Sequence, residues 1–91
     1  MIKYQDEFEG YLRDNASGPG DKAAAFVKSS IASLNSVCKY LGVTINAKIL
    51  GSDSDIDALC ARLSKTGKVS DKNIKHYRSA MQQYVNMVNG L

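Results

Sequence analysis

Asp53, Asp55 and Asp57 alternate with Ser54 and Ile56, which is how a calcium-binding loop begins. Such a loop needs glycine at its sixth position for a sharp turn and a bidentate glutamate at its twelfth. Ala58 and Ser64 stand there instead, so the three carboxylates read as the acidic start of a helix, where they meet the positive end of its dipole. His76 is the single histidine. A metal site would need further nitrogen or thiolate ligands, and Cys38 and Cys60 both fall at apolar positions of helical patterns. No base and nucleophile pair forms around His76 by spacing. Gly18-Pro19-Gly20 has the glycines of a phosphate cradle, but no strand precedes it and no Gly-Lys-Ser/Thr follows. The chain therefore reads as non-catalytic, with no metal and no cofactor.

What remains is chemistry suited to anions. Residues 70–89 carry Lys72, Lys75, His76, Ser79, Gln82, Gln83 and Asn86 opposite an apolar stripe, with Arg78 on the flank and no acid after Asp71. Residues 21–41 carry Lys22, Ser29, Ser33, Ser36 and Tyr40 opposite theirs, flanked by Lys28 and Lys39, with no acid after Asp21. Lysine and arginine neutralise phosphates, while serine and amide side chains hydrogen-bond backbone or base edges. The candidate DNA-binding residues are thus Lys22, Lys28, Ser29, Ser33, Lys39, Lys72, Lys75, His76, Arg78 and Gln82. The Ser70 end of the last helix also offers first-turn N–H groups to an anion. The reading requires both helices to turn these sides to one patch of solvent.

The elements that must position these residues are four helices, expected at about 2–14, 21–41, 53–66 and 70–89. Tyr4, Phe8, Tyr11 and Leu12 form the buried stripe of the first. Val27, Ile31, Leu34, Cys38 and Leu41, spaced by three and four, form that of the second. Ile56, Leu59, Cys60 and Leu63 serve the third, and Ile74, Tyr77, Met81, Tyr84, Val85 and Val88 the fourth. Residues 15–20 break the chain as a loop, because glycine and proline there do not continue a helix. Residues 43–50 are expected as an extended linker whose apolar residues plug the core. Ser52 or Ser54 starts the third helix in capping-box fashion, and Ser70 caps the fourth. Gly42 and Gly67 end the second and third, and Gly90 is expected in the left-handed conformation just past the fourth. Tyr77 and Tyr84 read as core, and Tyr40 as the tyrosine best placed for an outside contact.

Ninety-one residues with 44% hydrophobic content form one small globular domain spanning 1–91. The net charge is +3 with a pI near 8.9, and residues 21–50 and 67–91 each carry +3. That is mildly basic, short of a strongly basic nucleic-acid binder. No run approaches the length of a membrane span, no signal-peptide pattern opens the chain, and two buried cysteines suit a reducing, cytoplasmic setting.

The pattern Phe8-x-x-Tyr11-Leu12, then Ala25-Phe26-Val27, Leu34 and Tyr40-Leu41-Gly42, then Ile56, Leu59 and Leu63, then Ile74-x-x-Tyr77-Arg78-Ser79-Ala80-Met81-x-x-Tyr84-Val85 resembles the SAM-like N-terminal, core-binding domain of tyrosine recombinases and phage integrases. Similar helical domains precede the nuclease part of some bacterial restriction enzymes. The resemblance spans nearly the whole chain. It implies an all-α fold, a small four-helix SAM-like orthogonal bundle, that clamps duplex DNA across its backbone through the exposed positions named above. The recombinase catalytic domain is absent. Neither its arginine, lysine and His-x-x-Arg set nor its nucleophilic tyrosine is present, so only the binding role is inherited. The alternative is a protein-interaction or dimerisation domain, such as a small phage or bacterial accessory or inhibitor protein. There the serine row and Ala23-Ala24-Ala25 would seat a partner helix.

Overall fold

Hydrophobic spacing of three and four yields four helices, α1 (Gln5–Asn15), α2 (Gly20–Leu41), α3 (Asp53–Thr66) and α4 (Asp71–Asn89). They form a small all-α bundle in a computed structural model that describes residues 2–15 and 20–90. The side chains of residues 20–23, Lys22 among them, and residues 16–19 of the loop expected at 15–20 lie outside the described part; Asn15 closes α1 and Gly20 opens α2. α2 and α4 each pack against all the other helices, and α4 lies against α1, α2 and α3 together. The core they enclose includes Phe8 and Leu12 of α1, Leu34 and Val37 of α2, Ile56 and Leu63 of α3, and Met81 and Tyr84 of α4, all fully buried or nearly so.

The termini follow local chemistry. Ser52 Oγ accepts from the Asp55 N–H and Ser70 Oγ from the Asn73 N–H, each at 3.3 Å, so one orphan donor is satisfied at the start of α3 and of α4. Asp55 completes a variant of the capping box, its carboxylate accepting from the Gly51 N–H at 2.9 Å. Gly42 and Gly67 take positive φ, +63° and +67°, where glycine carries no Cβ penalty. Gly90 does not. Its φ is −94°, and its N–H donates back to Met87 and Val88 carbonyls, so α4 ends by tightening its last turn rather than by a left-handed cap.

Two expectations for the N-terminal half are corrected. The first helix begins at Gln5, not near residue 2. Ile2 instead forms an isolated parallel bridge with Ile45, and the Lys3 N–H donates to the Ile45 carbonyl at 2.7 Å. Tyr4 is therefore not part of the buried stripe. It sits at φ +62° and is 42% exposed. Residues 43–50 are not simply extended. Asn46 folds them into a turn, its Oδ1 accepting from the Lys48 and Ile49 N–H groups at 2.8 and 3.0 Å. The turn does plug the core, since Ile45 and Leu50 are fully buried.

Candidate nucleic-acid interface

α2 and α4 pack against one another. Ser30 and Ala80 are buried at this contact, and such residues let helix axes come near one another. Above them opens a shallow cleft of about 150 Å³ lined by Phe26, Ser29, Ser30 and Ser33 from α2 and His76, Ser79 and Ala80 from α4. Ser29, His76 and Ser79 are exposed, and Ser33 is half-buried. Phe26 stands at the rim, 38% exposed. The expected serine row and the polar face of α4 thus do share a surface, and Ser29, Ser33 and His76 lie together on it.

The lysines of α2 do not join them. Lys28 lines a different groove, of about 290 Å³, with Glu9 and Arg13 of α1 and Ala24, Val27 and Ile31 of α2. A helix turns about 100° per residue, so Lys28 lies a quarter-turn round from Ser29. Lys39, three turns further along, falls on the same stripe as Lys28 and is exposed. α2 therefore presents Ser29, Ser30 and Ser33 towards α4 and Lys28 towards α1.

The polar face of α4 is likewise divided. Arg78 Nη2 donates to Asp57 Oδ1 of α3 at 2.5 Å. Gln82 Nε2 donates to Asp53 Oδ1 at 3.3 Å and to Asn86 Oδ1 at 3.1 Å. The carboxylates that start α3 reach across to this flank. The Asp57 hydrogen bond and charge raise the Arg78 pKa above its ordinary value. Burial pushes the Cys60 thiol up, with the nearby Arg78 guanidinium pulling the other way. Lys72, Lys75 and His76 are exposed, and the two lysines form no ion pair among the described residues. The α4 N-terminus is partly spent as an anion site, because Ser70 Oγ already takes the Asn73 N–H.

No cluster of three or more metal-ligating side chains occurs among the described residues, and no helix there is long and apolar enough to cross a membrane. Cys38 and Cys60 are buried. Tyr84 is fully buried, edge-on to Phe8 with ring centroids 5.4 Å apart. Its hydroxyl donates to the Lys3 carbonyl at 2.6 Å, and burial pushes its pKa up to about 12. Tyr40 is exposed as expected, 41%.

Sequence reasoning did not single out Phe26, which sits at the edge of the apolar arc of α2 and reads equally as core. It placed Ser79 on the polar face of α4 without ranking it as a contact. No protein family, curated protein or solved structure matches the chain.

Proposed function

We propose that the α2–α4 face is a docking surface for the phosphate backbone of duplex DNA, and that the domain is a non-catalytic DNA-binding module of a restriction or recombination system. The supporting observation is the shared cleft, where Ser29 and Ser33 of one helix and His76 and Ser79 of its neighbour line one groove. Lys72 and Lys75 stand exposed on the same α4. Hydroxyls and small side chains allow a sugar–phosphate strand to approach closely, and the two ammoniums supply the counter-charge. Resemblance to the recombinase core-binding module points the same way.

The electrostatic footprint is narrower than the sequence suggests. Arg78 is offset by Asp57, and Lys28 and Lys39 lie on the other flank of α2. With Lys72 and Lys75 as the two phosphate contacts, the slope of log K against log salt should be about −1.8. Affinity for a short duplex should then fall about tenfold between about 50 and 200 mM salt. A titration of labelled duplex at several salt concentrations measures this. A slope near zero, or no binding at low salt, rejects the reading.

One observation favours a second reading. Phe26 is an apolar ring left 38% exposed beside the serines and Ala80, which suits a protein partner or a second copy of the chain. Sedimentation at several concentrations separates the two. A dimer weakened by Phe26→Ser, with no salt-dependent DNA binding, supports the protein interface.

A further inference from the structure

Away from the α2–α4 face, the chain before α1 displays an aromatic ring in a conformation that local sequence does not favour. Tyr4 has φ +62°, a region that residues with a Cβ rarely enter and that glycine or asparagine enters more readily. Burial does not compensate, since the residue is 42% exposed. Three hydrogen bonds impose the turn. The Lys3 N–H donates to the Ile45 carbonyl at 2.7 Å and the Phe8 N–H to the Tyr4 carbonyl at 2.9 Å. The buried Tyr84 hydroxyl donates to the Lys3 carbonyl at 2.6 Å. Backbone strain persists only where surrounding structure over-determines it, and it concentrates where a side chain is being presented for use.

The ring is presented beside cations. A cleft of about 260 Å³ is lined by Lys3, Tyr4, Asn46, Ala47 and Lys48. Lys3 Nζ stands 5.9 Å from the Tyr4 ring centroid, within cation–π range. Lys48 comes from the turn that Asn46 Oδ1 fixes through the Lys48 and Ile49 N–H groups. Neither lysine forms an ion pair among the described residues, and no carboxylate lines the cleft.

We propose that this cleft takes a nucleotide, its base stacked on Tyr4 and its phosphate held between Lys3 and Lys48. An exposed ring with flanking ammoniums is the unit by which proteins hold unpaired bases, because every base has a π-face and every nucleotide a charge. The ligand is a nucleotide of a single strand or a free mononucleotide. The residues differ from those of the duplex reading, so the two stand or fall separately.

The test uses the full chain at low salt with a short labelled oligodeoxyadenylate, unlabelled AMP and a short duplex. The single strand should bind, and Tyr4→Gly should weaken it at least about fivefold. The same change should leave the melting temperature equal or higher, since glycine accepts this φ. Tyr4→Phe should keep the binding, and Lys48→Met should lower the salt slope by about 0.7. Competition by AMP assigns a single nucleotide as the ligand; a strand that AMP does not displace but Tyr4→Gly releases assigns a strand. The proposal is overturned if the wild type does not bind the oligonucleotide, or if Tyr4→Gly binds it equally well. It is also overturned if Tyr4→Gly lowers the melting temperature, because the ring is then structural. Single-strand binding lost on Lys72 and Lys75 reversal but indifferent to Tyr4→Gly also rejects it, and leaves the proposed function intact.

Discussion

At the scale of single residues, Tyr84 links the C-terminal helix to the chain's start. Its folded pKa, about 12, lies above the ordinary value of 10.0, so the folded state favours the neutral phenol. Stability from this group is therefore fully present below about pH 10 and lost as pH rises from 10 through 12. Tyr84→Phe should cost about 1 kcal/mol at neutral pH through the lost bond to Lys3 and should flatten the alkaline decline. Urea unfolding at neutral and alkaline pH measures both, and an identical decline in the variant contradicts the assignment. Two glycines give opposite expectations. A Cβ on Gly51 would lie 2.3 Å from the Ala47 carbonyl oxygen, a backbone atom that cannot step aside, so Gly51→Ala should destabilise by about 1–3 kcal/mol. A Cβ on Gly10, inside α1, meets nothing within 4 Å, so Gly10→Ala should stabilise by about 0.5–1 kcal/mol through helix propensity. The two midpoints should move in opposite directions from the wild type.

At the scale of elements, the helices with side-chain caps were the most legible. α3 begins and ends where its apolar spacing, Ser52 and Gly67 place it, and α4 (Asp71–Asn89) lies between its caps Ser70 and Gly90. Ser70→Ala should cost about 1 kcal/mol, read as a lower urea midpoint, while Ser54→Ala, at a position that does not cap, should cost less. α1 was legible only from Gln5 onward. Tyr4 keeps helical spacing with Phe8, but the bridge from Ile2 to Ile45 takes the preceding residues out of the helix. That contact is tertiary and leaves no local pattern. In α2 the stripe Val27, Ile31, Leu34, Cys38 and Leu41 was visible, but Ser30 and Val37 are buried too. A helix packed against three others buries a wider arc than one spacing rule marks.

At the scale of the molecule, charge counted along the chain does not give the potential of a face. Residues 67–91 carry net +3 and residues 51–66 net −1, yet Asp53 and Asp57 lie against Gln82 and Arg78 across the α3–α4 contact. The sequence located the polar side of α4 but could not say which neighbour meets each flank. The same limit put Lys28 with the serines, although it faces α1. The surface proposed for DNA is therefore the cleft with Lys72 and Lys75 beside it, while Lys28 turns to α1 and Arg78 to Asp57.

Paired charge reversal reads this division most directly, with duplex affinity measured at low salt and folding checked by circular dichroism. Lys72→Glu with Lys75→Glu should abolish binding, while Lys28→Glu with Lys39→Glu should leave affinity within about threefold, since neither α2 lysine lines the cleft or makes one of its phosphate contacts. Equal loss from both pairs, or loss only from the α2 pair, would contradict a DNA surface centred on α4.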